Sequence, residues 1–340
     1  MFKPHFKIIL ISVLFLICFT ALLKAEFNID FVKYHSFPNG EIPPELQKRI
    51  AELDGKSIKL LKEKNFDGIF KILVKELQNQ GIESVTKSLL PLSEEILKYE
   101  TVQYYRSYIK FSSTGKGVSA IHSETQPPFY MHVSNSNKEM LVSLRVTCCE
   151  FTDKMFGFSY IKNEGDWKLA GIKARIYKVG GMDYQAWFKK SKETKSNGLP
   201  LSSFLMMTVA NQIKRPLQYI QFKNEKEIDE YTKSLLEIVK GKIKLPIQYK
   251  SIEGRPTVFQ LTTQFIKSEM YIKVLFKTDT VFERTKLESE AKEIHSQLSK
   301  VVPDLLELQD LAVYTAYHEI PNQKGVSYNN FTVIVDNNLK

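Results

Sequence analysis

The spacing of apolar residues changes near Glu100, and this change limits the chain to a fold that contains both helices and strands. Before Glu100, apolar residues recur every three or four positions, which is the period of an amphipathic helix. After Glu100 they alternate with polar residues, and Tyr, Ile, Val, Phe and Thr accumulate, as is typical of a half-buried sheet. The sequence therefore predicts an α+β fold in which helices precede an antiparallel sheet.

The part before Glu100 predicts three helical segments. Residues 45–64 carry a stripe of Leu and Ile at helical spacing, and Asn65-Phe66-Asp67 interrupts it. A second helix is predicted from Phe66 to Gly81, where glycine is a common stop. Ile82 to Tyr99 is also helical in pattern, with a break expected near Pro91 because proline removes a backbone donor.

The part after Glu100 predicts one long antiparallel meander. Its strands are expected at Thr101 to Phe111, Gly117 to His122, Phe129 to Val133, Met140 to Phe151, Lys154 to Lys162 and Trp167 to Lys178. Glu164-Gly165-Asp166 suits the tight turn of a hairpin, since glycine tolerates a positive φ and aspartate can bond its own backbone.

The order of these elements, with two short motifs, resembles one known superfamily over residues 45–180. The motifs are the helix break Lys64-Asn65-Phe66-Asp67 and the hairpin Tyr160-Ile161-Lys162-Asn163-Glu164-Gly165-Asp166-Trp167-Lys168-Leu169. The chain resembles the nuclear transport factor 2-like superfamily, a cone-shaped α+β roll that includes ketosteroid isomerase relatives and many non-catalytic binding domains. The resemblance implies helices packed on a curved antiparallel sheet, with a cone between them that holds small molecules.

The same resemblance implies a pocket inside the cone, for which the chain offers several aromatic side chains. The candidates to line it are Tyr104, Phe129, His132, Phe156, Phe158, Tyr160 and Trp167, with Arg145 as a charged member. Arg145 could hold a carboxylate through two parallel hydrogen bonds. The alternative is that the aromatic residues fill the core and Arg145 faces solvent.

A polar passage at residues 183–203, rich in Lys and Ser, is predicted to be a helix end and a linker. It separates the predicted roll at 45–182 from a second α+β domain at 204–340, for which no family is assigned. The elements expected in that domain are a helix at Asn224–Gly241, strands at Ile247–Ile252, Thr257–Ile266 and Glu269–Lys277, a helix at Thr280–Pro303, and strands at Leu311–His318 and Phe331–Val335.

Residues 1–25 have the organisation of an export signal. Basic residues precede an apolar run of sixteen residues from Ile8 to Leu23, and Lys24-Ala25 follows it. The run is shorter than the roughly 20 apolar residues that a bilayer-crossing helix needs, which favours a cleaved signal. The expected cut lies between Ala25 and Glu26, leaves 26–44 as an N-terminal extension, and places the protein in the periplasm or outside the cell. An uncleaved membrane anchor is the alternative.

Charge and cysteine content restrict partners and covalent structure. Without the leader the formal charge falls from +10 to +7, and the remaining basic residues are scattered. This pattern predicts no nucleic-acid partner and leaves contact with a membrane surface as an option. Only Cys148 and Cys149 follow the leader, which excludes a disulfide framework. A strand over 139–151 would make Cys148 a core residue, with Cys149 either similar or a free thiol.

Recognised catalytic and metal-binding motifs do not occur in this sequence. No His-Glu-x-x-His, Cys-x-x-Cys or Gly-x-Ser-x-Gly is found, and Ser112 to Gly117 lacks the order of a phosphate loop. His122, Glu124 and His132 could approach one another across a hairpin, although solvated residues are the ordinary interpretation. We therefore expect no metal and no cofactor.

These observations predict an exported, non-enzymatic protein that binds a small molecule or a partner protein of unknown identity. Two alternatives stay open. One is an isomerase- or hydrolase-like enzyme that uses the cone, with His132 or an unrecognised acid as base and Tyr160 as donor. The other is a membrane-tethered assembly or adhesion factor, which an uncleaved leader would favour.

Overall fold

The computed structural model describes residues 33–115, 118–125, 127–134, 136–149, 151–266, 268–304, 311–322 and 328–336. Within these ranges the fold is mixed α+β, as the change of period predicts. The predicted leader, with its cut between Ala25 and Glu26, lies outside the described residues. Among the described helices, none combines the length and the apolar character needed to cross a membrane.

Between residues 33 and 99 the structure has four α-helices: α1 (Pro44–Lys62), α2 (Phe66–Ile72), α3 (Lys75–Gln78) and α4 (Ile82–Lys98). The single helix predicted from Phe66 to Gly81 is therefore wrong, because the backbone is extended at Leu73 and Val74 between α2 and α3. The break at Asn65 is confirmed, because its side chain caps α2 by accepting a hydrogen bond from the Gly68 N–H. The predicted break at Pro91 is wrong, since α4 continues through it. Pro91 lies on the exposed side, and the buried side of α4 packs well enough to offset the missing donor.

The first sheet has five strands in the order β1-β2-β5-β6-β7, all antiparallel. Glu164 and Gly165 both have positive φ and form the predicted tight turn between its last two strands. The strands are β1 (Tyr34–Pro38), β2 (Thr101–Phe111), β5 (Glu139–Thr147), β6 (Lys154–Asn163) and β7 (Asp166–Ile176).

The predicted single meander is wrong, because two of its strands leave the first sheet. These are β3 (Val118–Ser123) and β4 (Phe129–Ser134), which pair with β8 (Ile220–Phe222) in a separate sheet of order β3-β4-β8. Their partner lies about 90 residues later in the chain, so no local pattern indicates it.

Much of the predicted linker is helical. Residues 183–203 contain α5 (Tyr184–Ser196) and the start of α6 (Pro200–Ile213), and α7 (Glu225–Lys242) follows. The Asp183 side chain caps α5 by accepting a hydrogen bond from the Ala186 N–H. Polar residues cover the outer side of α5, while Tyr184, Trp187 and Phe188 are buried.

A third sheet of order β13-β12-β11-β10-β9 closes the fold. Its central pair, β11 and β12, is parallel, so the chain crosses over between them through α8 (Arg284–Val301). Leu287, Ala291, Ile294 and Leu298 form the buried apolar side of this helix, whereas Val301 at its end is exposed. The strands are β9 (Ile247–Gln248), β10 (Thr257–Ile266), β11 (Glu269–Lys277), β12 (Leu311–Tyr317) and β13 (Asn330–Asp336).

Among the described residues, three apolar cores hold these layers together. The helix-side core joins α1 to α4 with one face of the first sheet, through residues such as Ile50, Leu89 and Phe158. The central core lies on the other face and combines the first sheet with the second sheet, α5, α6 and α7. The C-terminal core joins the third sheet with α8 and the start of α6. Thus α6 belongs to two cores, and apolar packing continues across the predicted boundary at 203/204.

The prediction for Cys148 is wrong. Strand β5 ends at Thr147, so Cys148 is exposed, Cys149 is half-buried, and both are free thiols. The strand ends there because the Thr147 hydroxyl accepts a hydrogen bond from the Lys154 N–H, and the Asp153 carboxylate accepts one from the Cys149 N–H. These two bonds turn the chain before the alternation reaches Cys148.

We expect His295 to make the stability of the C-terminal core depend on pH. Its Nδ1 lies 2.8 Å from the Tyr314 hydroxyl oxygen, and burial lowers the pKa of His295 below 6.5. In the unfolded chain the His295 imidazole binds a proton near pH 6.5, whereas in the folded chain it stays neutral until the pH is lower. We therefore expect the free energy of unfolding to fall as the pH drops below about 6.5, by at most about 1.4 kcal/mol per pH unit for this group.

Urea unfolding of wild type and His295→Gln between pH 7 and pH 5 measures this effect. The difference between the two curves isolates His295 from other titrating groups. We expect a flatter pH dependence in the variant, and parallel curves would contradict the assignment.

Candidate binding cleft above a buried carboxylate

An acidic residue lies on the buried side of α1, where the helical period places apolar residues. Ile50, Leu53, Ser57 and Leu61 form this side, and Asp54 lies among them with 1% of its surface exposed. A carboxylate is rarely buried to this degree unless it is paired and hydrogen-bonded. The neighbours of Asp54 therefore determine whether α1 can pack on the sheet.

Three strands of the first sheet supply hydrogen-bond donors to Asp54. The Ser143 hydroxyl on β5 donates to Oδ2 at 2.7 Å, and the Tyr160 hydroxyl on β6 donates to Oδ1 at 3.1 Å. Arg106 Nη2 on β2 donates to Oδ2 at 3.2 Å. Arg145 Nη1 lies 4.0 Å from Oδ2. We call these five residues the Asp54 network.

Burial controls the ionisation of the network. It raises the pKa of Asp54, and the hydrogen bonds from Ser143 and Tyr160 with the charges of Arg106 and Arg145 oppose the rise only in part. Burial first and the Asp54 charge second raise the pKa of Tyr160 well above 10, so this hydroxyl stays a neutral donor. Burial also lowers the pKa of Arg145.

Arg145 has partners besides Asp54. Its Nη2 donates to the Thr101 carbonyl oxygen at 2.7 Å, its Nε to the Thr101 hydroxyl at 3.0 Å, and its Nη1 to Gln103 Oε1 at 3.2 Å. The guanidinium is therefore engaged by the protein itself. A ligand carboxylate at Arg145 would have to displace these contacts.

A cleft of about 230 Å³ opens beside the network, between α1 and the β6–β7 hairpin. The hairpin is held against the helices by a hydrogen bond from the Val74 N–H to the Leu169 carbonyl oxygen, at 3.0 Å. Tyr160 belongs to both the network and the cleft. We call this the Trp167 cleft; its lining residues are Arg49, Glu52, Leu53, Lys56, Ile72, Tyr160, Asp166, Trp167, Lys168 and Leu169.

The residues predicted to form one pocket are divided between the two faces of the first sheet. Arg145 and Tyr160 meet in the Asp54 network, Trp167 lines the adjacent cleft, and Phe156 and Phe158 are buried in the helix-side core. On the opposite face, Tyr104 and Phe129 pack in the central core. His132 lies on β4 of the second sheet, where its Nε2 is 3.0 Å from Gln221 Oε1.

The predicted group of His122, Glu124 and His132 also separates. His122 Nδ1 lies 2.9 Å from Glu124 Oε1, while His132 contacts β8 instead. Over the described residues, no three His, Cys, Asp or Glu side chains are close enough together to hold a metal ion.

Sequence reasoning missed Asp54, Arg106 and Ser143. A signal for Asp54 exists, because it stands one position after Leu53 and four after Ile50, inside the apolar stripe of α1. No comparable signal exists for Ser143, since a serine on an alternating strand suits either face.

Searches of protein-family models, curated proteins and solved structures find no match for this chain. By its fold it is a mixed α+β protein. Its functional assignment rests on its own residues.

Proposed function

We propose that this is an exported, non-enzymatic binding protein that holds a side chain of a partner protein in the Trp167 cleft. In this proposal residues 45–182 form a nuclear transport factor 2-like roll and residues 204–340 form a second α+β domain. The packing of α1 to α4 on one face of an antiparallel sheet supports the roll.

One observation carries the proposal: the space between these helices and the sheet is filled by the protein's own side chains. Phe156, Phe158 and Tyr160, which would line a cone, are fully buried against the helices. Among the described residues, a cleft of about 230 Å³ stays open on this side. Pockets for drug-sized ligands usually measure about 300–1,000 Å³, so a single partner side chain suits this cleft better.

The chemistry of the cleft is that of a protein interface. Leu53, Ile72 and Leu169 provide apolar surface beside the Trp167 ring. Besides Tyr160, the lining contains charged residues of both signs, namely Arg49, Glu52, Lys56, Asp166 and Lys168. Protein interfaces likewise combine apolar and charged groups, and partly exposed tryptophans often carry much of their binding energy.

We expect the Trp167→Ala substitution to weaken partner binding about tenfold or more, because it removes the aromatic wall of the cleft. A photo-reactive amino acid at exposed Lys56, introduced in the native host, captures the partner. The expected result is one discrete cross-linked adduct. Its yield should fall in Trp167→Ala and stay unchanged in Tyr99→Ala, which replaces an exposed aromatic residue at the C-cap of α4.

Position 233 provides the second control for this experiment, because Lys233 is exposed on α7. A cross-linker there should capture nothing that depends on Trp167. Two results would contradict the proposal: the same adduct in equal yield from positions 56 and 233, or an adduct whose yield does not change in Trp167→Ala.

The enzymatic alternative has one observation in its favour. The Asp54 carboxylate lies 3.1 Å from the Tyr160 hydroxyl, and Tyr160 lines the cleft, which is the acid-and-donor arrangement that hypothesis requires. It ranks second because Asp54 is sealed from solvent and accepts hydrogen bonds from Ser143, Tyr160 and Arg106. The other alternative, a membrane-tethered assembly or adhesion factor, would keep residues 1–25, and N-terminal sequencing of the mature protein separates it from the leading proposal.

A further inference from the structure

A second cleft, of about 290 Å³, lies at the first turns of α8, far in sequence from the Trp167 cleft. The loop before β10 and the loop after β11 form its other walls. We call it the Glu290 cleft; its lining residues are Ile252, Glu253, Thr280, Glu283, Thr285, Lys286, Ser289, Glu290 and Glu293.

Glu290 is the unusual member of this cleft. It is 4% exposed, and its Oε1 accepts a hydrogen bond from the Thr278 hydroxyl at 2.7 Å. Its Oε2 is buried and has no hydrogen-bond partner among the described residues. Buried carboxylate oxygens are normally satisfied, because an unpaired one loses its hydration without compensation. Burial raises the pKa of Glu290, and the neighbouring Thr278 and Thr280 hydroxyl groups oppose this only in part, so a further donor at Oε2 would stabilise the charged carboxylate.

The surrounding charges favour a cation as that donor. Glu253, Glu283 and Glu293 share the lining with Glu290, although the chain as a whole is basic. Lys286 also lines the cleft, but its Nζ lies 2.9 Å from Glu283 Oε2, so these two charges compensate each other. The other charged residues of the lining therefore make the electrostatic potential at Glu290 negative.

We propose that the Glu290 cleft binds a primary ammonium group, carried either by a free amine or by a lysine side chain of a peptide. An ammonium has three N–H donors and no acceptor, which suits an unpaired carboxylate oxygen beside further carboxylates and the Thr280 hydroxyl. A metal ion suits the cleft less well, because in the described part of the chain no three acidic or His and Cys side chains are close enough together to ligate one.

Calorimetric titration of the mature protein tests this site with four probes: butylamine, the peptide acetyl-Gly-Lys-Gly-amide, tetramethylammonium and calcium chloride. The proposal expects butylamine, the peptide or both to bind. Tetramethylammonium should bind at least tenfold more weakly than butylamine, because it has the charge without the N–H donors. Binding of butylamine alone identifies a free amine as the ligand class, and binding of the peptide identifies a lysine side chain.

Three variants locate the binding. Glu290→Gln should weaken it at least tenfold, and Glu293→Gln, at an exposed position of the lining, about threefold. Glu288→Gln should leave it unchanged, because Glu288 is outside the lining and pairs with Arg284 at 2.8 Å. Circular dichroism checks that each variant is folded. If Glu290→Gln does not fold, Glu293→Gln still tests the site.

Three results would overturn the proposal. The first is no binding of butylamine or the peptide at millimolar concentration. The second is equal binding by wild type, Glu290→Gln and Glu293→Gln. The third is binding of calcium that Glu290→Gln abolishes, which would replace the ammonium with a metal ion.

Discussion

Replacing Asp54 with alanine is expected to lower the free energy of unfolding by about 3–5 kcal/mol, the usual cost of removing one partner from a buried charge pair. The substitution leaves the Arg106 and Arg145 guanidinium groups at the helix–sheet contact without their carboxylate. It also removes the acceptor for Ser143 and Tyr160. Urea unfolding followed by circular dichroism measures the loss.

Glu52→Ala is the matched control for Asp54→Ala, because both acids lie on α1. Glu52 pairs with Arg49 at 3.3 Å on the surface, and such pairs contribute about 0.5 kcal/mol or less. A loss below about 1 kcal/mol for Asp54→Ala would show that the network contributes little to packing.

A double substitution separates the cost of unpaired charge from the loss of packing. Apolar replacements of a whole buried ion pair are often neutral, whereas breaking the pair is costly. We therefore expect Asp54→Leu with Arg106→Met to be more stable than Asp54→Ala. If the double variant is no more stable than Asp54→Ala, the Asp54 network contributes to stability in some way besides neutralising charge.

Trp187→Ala is expected to cost a similar amount, about 3–5 kcal/mol, because it empties a large volume in a packed core. Trp187 is 1% exposed, its Nε1 donates to the Val179 carbonyl oxygen at 3.0 Å, and its ring meets Phe265 edge-on with centroids 5.7 Å apart. It therefore joins the end of the first sheet to β10 of the third. Tyr99→Ala, at an exposed aromatic, is the control and should change stability by less than about 0.5 kcal/mol.

The same variant tests whether the two proposed domains unfold separately. The chain has two tryptophans, so in Trp187→Ala fluorescence reports only Trp167 in the first sheet, while circular dichroism reports the whole chain. Because the central core draws on residues from both sides of 203/204, we expect the two probes to give one coincident transition. Two separate transitions, or a loss below about 1 kcal/mol, would contradict this account of the core.

Predictions from the sequence succeeded where a feature depends on residues that are close together in the chain. The turn at Glu164-Gly165 and the cap at Asn65 depend on neighbouring residues, and both are confirmed. The pairing of β4 with β8 depends on strands about 90 residues apart, and the sequence does not indicate it. Pro91 is a further example: its local tendency to break a helix is outweighed by the tertiary packing of α4.

For the candidate site, the sequence indicated the right hairpin and missed the residue that organises it. Tyr160 and Trp167 were predictable as aromatic residues beside a tight turn. Asp54 was visible only as an acid inside an apolar stripe, and its role depends on donors from three strands that are distant in sequence. A helical stripe predicts which side of α1 is buried, but it does not predict what that side meets.

By itself, the sequence determined the α+β class, the helix and strand positions near Glu100 and in the third sheet, and the absence of a disulfide framework. These follow from periodicity and composition, which act over a few residues. Only the tertiary structure decided that the helix–sheet space is filled, that Asp54 collects its donors, and that Glu290 keeps a free oxygen. These depend on contacts between distant segments, because burial converts an ordinary carboxylate into one that requires a partner.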